Sequence, residues 1–208
     1  MPGTTTLLLF ALATLLLTAS PGPGVLYVWA RCLAQGRRAG FASMFGIESG
    51  ELVWLVAVAT GVAALLATSV SALAVLRIAG AVYLVYLGVQ RWRSSDLIAT
   101  PSPQPVLRIF TQGVVTQVLN PKVAVFFVAF LPQFLNPAGA IAPQVAVLGL
   151  IYIVVALIVD TTYVLAASAI SSRFMRSRAA QRRTARFAAV TYVALGVAAA
   201  VSGVKRPN

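Results

Sequence analysis

The residues of this sequence that could do chemistry are a few acids set within long apolar stretches. Only four of the 208 residues are Asp or Glu, and Glu48, Glu51 and Asp160 each have apolar segments on both sides. A charge at the centre of a bilayer costs roughly 2.5–3.5 kcal/mol on insertion scales, so such an acid is a functional candidate with an expected partner. A buried carboxylate can bind an ammonium group, carry a proton, or do both.

Two of these acids occupy one side of a predicted helix. Glu48 and Glu51 are three positions apart and therefore share a face, whereas Gly46 and Gly50 point nearly the opposite way. The glycine side permits close contact with a neighbouring helix. The acidic side is then free to face a cavity.

Partners for the acids within the apolar segments are few, namely Lys122 and Arg77. One interpretation is that the acids only neutralise these two cations and hold helices together. The other is that they bind or translocate a solute. An amino-acid-like zwitterion fits the second interpretation, because Lys122 or a helix N-terminus suits a carboxylate and Glu51 or Asp160 suits an ammonium.

The first apolar segment contains an unusual interruption, Pro21-Gly22-Pro23. Proline lacks an amide hydrogen and clashes with the preceding turn, and glycine adds backbone freedom. We therefore expect two half-helices. Unwound backbone at membrane depth is tolerated only where it is buried in protein or lines a wet cavity. A simple kink is the alternative.

A second interruption, Asn120-Pro121, lies near the centre of a later apolar segment and is followed directly by Lys122. Gln112, Thr116 and Asn120 are spaced four apart, which predicts a polar stripe that ends at the break. Broken helices at matching positions of two halves indicate the midplane site of a transporter.

The composition defines the class of protein. The chain is 60% hydrophobic and only 10% charged, whereas soluble domains are about 25% charged. We predict an all-α integral membrane protein that forms a single domain over residues 1–208. Six spans are predicted, near Thr5–Ala30, Gly40–Ala67, Val70–Val89, Phe110–Gln133, Gln144–Ala169 and Phe187–Val204. They divide into two pseudo-repeats, about 1–100 and 105–208. Each half has three spans, so the second half is inverted, and spans one and four are the broken ones.

The net charge of +12 is explained by topology and not by nucleic-acid binding. Basic residues cluster between spans one and two (Arg31, Arg37, Arg38), three and four (Arg91, Arg93, Arg108), and five and six (Arg173, Arg176, Arg178, Arg182, Arg183, Arg186). Basic loops face the cytoplasm, so both termini are predicted outside. The first segment resembles a signal peptide, but no Lys or Arg precedes Arg31, so we expect a retained span.

Two residue counts exclude several kinds of chemistry. The chain has no histidine and one cysteine, Cys32, so an internal disulfide or a two-thiol relay is excluded. No catalytic constellation, cofactor site or metal site is recognisable, and we expect no enzyme.

Several stretches resemble the lysine-exporter/homoserine-threonine-resistance (LysE/RhtB-type) family of bacterial amino-acid efflux proteins, along nearly the whole chain. They are SPGPG, QGRRAGF, GELVW, LRIAGAVYLVYLG and, most specifically, FTQGVVTQVLNPKVAVFFVAFLPQF. Asp160 falls where the family places an acid in helix five. In two departures, Gly24 replaces the family's Asn or Asp after PGP, and Glu51 replaces its Asp, with Glu48 added.

The resemblance implies a proton-driven exporter of amino acids or their derivatives in the inner membrane. Its substrate site would lie between broken helices one and four, with protons and the lipid bilayer as further partners. The amino acid, the coupling stoichiometry and any homo-oligomer are left open. The alternatives are a non-catalytic scaffold or regulatory protein, and an exporter of another small polar solute.

Overall fold

The computed structural model describes residues 2–68, 70–93 and 101–169, together with isolated helical positions between 179 and 200. Every regular element in the continuous parts is helical. The prediction of an all-α membrane protein is therefore confirmed for the fold class.

The first predicted span consists of two helices, α1 (Thr4–Thr18) and α2 (Pro23–Gln35), whose axes differ by 50°. The backbone amides of Ala19 and Ser20 still bond to α1 carbonyls, but Pro21 has no amide to continue the ladder. Gly22 is extended and precedes Pro23 at the start of α2, where the fixed φ of proline suits the first helical turn. The predicted break is confirmed.

One residue joins α2 to α3 (Arg37–Thr68). It is Gly36, whose φ of +80° lies in the region that glycine adopts without a steric penalty. The helix α4 (Val70–Arg93) follows. The connection between the first two spans is therefore a single residue. It is much shorter than the gap between the first two predicted spans.

The fourth predicted span is also broken. Helix α5 (Val106–Val118) is followed by α6 (Pro121–Val125), and the two segments meet at 47°. After α6 the chain makes a π-helical turn at Phe126–Phe130 and a 3₁₀ turn at Leu131–Phe134. The last long helix is α7 (Ile141–Ala169).

Glycines bring α3 and α5 into close contact. A methyl group added to Gly46 would collide with the carbonyl of Phe110, and one added to Gly113 would lie 2.8 Å from the carbonyl oxygen of Ser43. A methyl group on Gly50 would lie 2.9 Å from the carbonyl oxygen of Val114. The expected glycine contact surface of α3 is confirmed, and its partner is the first half of the second broken span.

Aromatic side chains form the main core, which joins α1, the second broken span and α7. Phe126 and Phe127 are fully buried and pack on the ring of Tyr152, at centroid distances of 5.4 and 4.7 Å. Leu8, Val56 and Leu150 instead expose most of their side chains, as expected for surfaces that face lipid tails.

The described residues contain α3 and α7 as single helices that are long and apolar enough to cross a membrane, and the two bent pairs as further spans. Helix α4 contributes a shorter apolar stretch, Ala81–Gln90. The predicted sixth span, at Phe187–Val204, lies mostly outside the described residues. The count of six spans and the inverted repeat therefore stay predictions.

Candidate functional site between the two broken spans

A small polar cavity lies where the two broken spans meet α3 and α7. Its volume is about 20 Å³, which is room for one or two water molecules. Eleven residues line it: Thr18, Gly24, Val25, Ile47, Glu51, Gln117, Asn120, Lys122, Val123, Tyr152 and Asp160. In this conformation the cavity is much too small for an amino acid.

Glu51 of α3 is the best-anchored acid in the cavity. Its Oε1 accepts a hydrogen bond from Gln117 Nε2 at 2.6 Å and another from the Tyr152 hydroxyl at 3.0 Å. The side chain is 3% exposed. These two donors, one from α5 and one from α7, fix the orientation of the carboxyl group.

The acids nevertheless keep spare acceptor capacity. Neither Glu48 oxygen accepts a hydrogen bond within the described part of the chain, and Glu51 Oε2 accepts none there either. Glu48, one helical turn before Glu51, is 6% exposed. Buried acceptors without a donor are rare and costly. A proton or an ammonium group at this site would supply the donors that these oxygens need.

Asp160 reaches the cavity from the buried face of α7. It is eight positions after Tyr152, which is about two helical turns, and both residues belong to the buried stripe of that helix. Asp160 is 7% exposed and lines the same cavity as Glu51. The two acids predicted to act together are thus brought together by the fold.

Lys122 provides the positive charge of the cavity. Its Nζ donates to the carbonyl oxygens of Leu17 at 3.0 Å and of Ser20 at 2.9 Å. Both carbonyls lie at the break in the first span. The side chain of Lys122 therefore links the second broken span to the first by hydrogen bonds.

The two half-helices that begin at the breaks differ at their N-termini. At α6 the side chain of Asn120 accepts a hydrogen bond from the backbone amide of Lys122 at 3.1 Å. At α2 no side chain caps the first turn, and Gly24 and Val25 of that turn line the cavity. The N-terminus of α2 is therefore the better place for an anionic group.

The structure divides the predicted site residues into three groups. Glu51, Asn120, Lys122 and Asp160 line the cavity, and Glu48 lies beside it on α3. The residues Pro21, Gly22, Pro23 and Pro121 form the breaks that shape it.

Gln112 and Thr116 are the third group and lie away from the cavity. The Thr116 hydroxyl bonds to the carbonyl of its own helix at Gln112. Helix α5 ends at Val118, so Asn120 does not continue the face on which Gln112 and Thr116 lie. The face of α5 that turns inward instead carries Gly113 and Gln117.

Sequence reasoning did not single out Gln117 and Tyr152. Each had a signal: Gln117 is an amide three residues before Asn120, and Tyr152 is a polar aromatic residue on the same face of its helix as Asp160. Both were hidden because their importance depends on reaching Glu51, which lies on a third helix.

Arg31 corrects one assignment from the charge pattern. It was placed in the loop between spans one and two, but it lies within α2 and is 4% exposed. Its guanidinium donates to the Ser102 carbonyl at 3.0 Å, to Gln104 Oε1 at 2.9 Å and to Gln112 Oε1 at 2.8 Å. These acceptors stabilise the buried charge and tie the segment before α5 to α2.

A membrane protein with two broken spans around buried acids has the architecture of a transporter. The LysE type translocator family model matches residues 15–203. The chain belongs to this family, in agreement with the resemblance seen in its sequence.

Relatives of the chain include efflux proteins. It is 34% identical to the homoserine/homoserine lactone efflux protein of Salmonella typhi, over 78% of this chain and 81% of the relative. It is 30% identical to the leucine efflux protein of Salmonella choleraesuis, over 56% and 57% of the two chains. An uncharacterized membrane protein of Vibrio cholerae is 32% identical over 82% and 84%. No solved structure is significantly similar.

Proposed function

We propose that this protein exports amino acids or amino-acid derivatives across the bacterial inner membrane, in exchange for protons. The observation that carries the proposal is a set of buried carboxylate oxygens that have no donor among the described residues. They are Glu51 Oε2, at a cavity between two broken spans, and both oxygens of Glu48, one helical turn away. Unwound backbone and buried acids at such a position are typical of secondary transporters. The efflux relatives give the solute class.

The cavity offers one end for each charge of an amino acid. The substrate ammonium would donate to Glu51 Oε2 and Asp160, which both reach the cavity. The substrate carboxylate would lie at the N-terminus of α2, beside Gly24 and Val25, where no side chain caps the helix. An amide or ester of an amino acid would keep the first interaction and lose the second.

The small volume of the cavity implies that the transport cycle includes opening. A space of about 20 Å³ holds one or two waters and not an amino acid, so the cavity must widen before a substrate can bind. Opening to one side at a time is the behaviour of a transporter, whereas a channel needs a continuous pore. Coupling to protons would follow if the carboxyl groups of Glu51, Glu48 or Asp160 bind a proton when the substrate leaves.

The relatives named as efflux proteins support outward transport of the solute. We infer that the basic connections lie in the cytoplasm and that both termini face outward. An inward-directed proton gradient would then drive the exchange, with protons entering while the solute leaves.

The test is efflux from cells preloaded with a labelled amino-acid mixture that includes homoserine, homoserine lactone and leucine. Wild type is compared with Glu51→Gln and Asp160→Asn at equal membrane abundance. Faster loss of some of these solutes, abolished by each substitution and by a protonophore, supports the proposal. Ser49→Ala is a matched control on the same helix as Glu51, because the Ser49 hydroxyl donates to the carbonyl of Phe45 within that helix.

Two results would contradict the proposal in different ways. Efflux and pH dependence that survive both acid substitutions would exclude Glu51 and Asp160 from the mechanism. Equal loss with and without the protein would exclude these solutes, and metabolite profiling of the medium would then separate another polar solute from a scaffold role.

A further inference from the structure

Three carbonyl groups at the break in the first span, those of Leu17, Ala19 and Ser20, accept hydrogen bonds from side chains of other spans, and Leu17 O also accepts one from the Ser20 amide at 3.1 Å. Lys122 Nζ donates to Leu17 O at 3.0 Å and to Ser20 O at 2.9 Å. The Tyr163 hydroxyl donates to Ala19 O at 2.6 Å. Two of these carbonyls thus converge on a single cation.

Lys122 is a buried charge that needs negative partners. It follows Pro121 at the start of α6, and its side chain is 6% exposed, so water does little to stabilise the ammonium. The carbonyl oxygens of the first span, with Asp160 at the same cavity, supply the negative charge that stabilises the ammonium.

Oxygen ligands of this kind are what small monovalent cations bind. Unwound backbone carbonyls at a helix break coordinate cations in transporters, and hard cations prefer carbonyl and carboxylate oxygens. We propose that Leu17 O and Ser20 O form a cation-binding site whose occupant is the tethered ammonium of Lys122. A free monovalent cation would bind there only when the lysine ammonium is removed.

This inference goes beyond the proposed export, because it concerns how the two broken spans are joined whatever solute is carried. It explains why a lysine directly follows the second break. It also predicts that the wild-type protein needs no sodium ion at this position, since a covalently attached cation already binds the carbonyls.

The test is the thermal unfolding of purified full-length protein in lipid nanodiscs, with Lys122→Ala compared to wild type. Methylammonium chloride, sodium chloride and choline chloride are titrated at equal ionic strength. We expect methylammonium to raise the Tm of Lys122→Ala by several degrees relative to choline, because a ligand that binds only the native state stabilises it. The Tm of the wild type should not distinguish the three salts.

Two control variants make the result specific. Lys122→Met removes the charge but keeps most of the side-chain volume, so methylammonium should not raise its Tm. Arg108→Ala removes an exposed cation from the same broken span and should behave as wild type. Equal responses of Lys122→Ala and wild type to methylammonium and sodium would overturn the proposal.

The measurement remains decisive if Lys122→Ala does not fold in ordinary buffer. The variant is then extracted with methylammonium or with choline present throughout. Folded protein recovered only with methylammonium supports the site, and recovery with neither overturns it. Because no step measures transport, a failure of the proposed export leaves this result unaffected.

Discussion

The two helix breaks look alike in sequence but are stabilised in opposite ways. Each has proline at the first position of its second half-helix. The break between α5 and α6 is satisfied largely by its own residues, whereas the break between α1 and α2 depends on side chains from distant segments.

At the α5–α6 break the hydrogen bonds are mostly local. Asn120 caps α6, and its Nδ2 donates to Gln117 Oε1 at 3.0 Å. The Val118 carbonyl accepts a hydrogen bond from Trp54 Nε1 of the neighbouring α3 at 3.1 Å. Since α5 is also packed against α3 through glycines, we expect this break to be a fixed part of the scaffold.

At the α1–α2 break no side chain caps the new helix, and the carbonyls of Leu17, Ala19 and Ser20 accept hydrogen bonds from Lys122 and Tyr163. Such contacts can be exchanged without unfolding either helix. A break whose hydrogen bonds come from its own residues can hold side chains in fixed positions. A break whose carbonyls bond to side chains of other helices can exchange those hydrogen-bond partners. We therefore expect the first break to move during transport.

The largest effect should come from adding a side chain at the close contact between α3 and α5. This contact holds the break between α5 and α6 in place. In Gly46→Ala the added methyl group collides with the Phe110 carbonyl, and overpacking of this kind costs roughly 1–3 kcal/mol. We expect a strong loss of folded protein, measured by size-exclusion yield and thermal unfolding. A methyl group added to Gly61 on the same helix meets no atom of another described segment within 4 Å, so Gly61→Ala should fold normally. Equal yields for the two variants would contradict the fixed contact.

A smaller effect is expected from removing the hydrogen bond between α7 and Glu51, the acid of α3 that lines the cavity. Tyr152→Phe removes one of the two donors to Glu51 Oε1, and a typical hydrogen bond contributes about 0.5–1.5 kcal/mol. We expect the efflux rate to fall roughly tenfold at equal abundance, which corresponds to about 1.4 kcal/mol. Tyr86→Phe, at an exposed tyrosine of α4, is the control. An unchanged rate would show that Gln117 alone suffices to orient Glu51.

The next prediction concerns the break expected to move. Tyr163→Phe removes the donor to Ala19 O and should change the rate of efflux several-fold, because the exchangeable contacts of the first break set the balance between conformations. The Tm should fall by only a few degrees, since a typical hydrogen bond contributes about 0.5–1.5 kcal/mol. A lower Tm with an unaltered rate would mean that this break does not move.

The smallest effect on transport should come from the matched substitution at the fixed break. Trp54→Phe removes the donor to the Val118 carbonyl. We expect a Tm lower by about 2–4 °C for each kcal/mol lost and an unchanged efflux rate per folded molecule. A rate change as large as that of Tyr163→Phe would remove the distinction between the two breaks.

Much of the fold could be predicted from local patterns. Pro21-Gly22-Pro23 and Asn120-Pro121 specify breaks because proline and glycine act on their own backbone, and the structure places bends of 50° and 47° there. The glycine face of α3 followed from spacing alone. The boundaries of α2 could not be predicted from spacing. Arg31 is a charged residue, and its burial within α2 depends on acceptors in the segment 102–112.

The candidate site was predicted only in part. Glu51, Asp160 and Lys122 were recognisable because a charge within an apolar segment is costly wherever the segment packs. Gln117 and Tyr152 are uncharged, and such residues occur in many spans without any role. Their importance comes from distances of 2.6 and 3.0 Å to Glu51, which sequence spacing within one helix does not fix.

The sequence by itself determined that this is a helical membrane protein, where its spans break, and that Glu51, Asp160 and Lys122 lie within apolar segments. These follow from the hydrophobicity of each segment and the backbone chemistry of proline and glycine, whereas the membership of the LysE type translocator family follows from its sequence motifs. Only the tertiary structure decided which break is closed mainly by its own residues and which is held by Lys122 and Tyr163. That difference arises from hydrogen bonds between residues about a hundred positions or more apart, and such pairings depend on how the helices pack together.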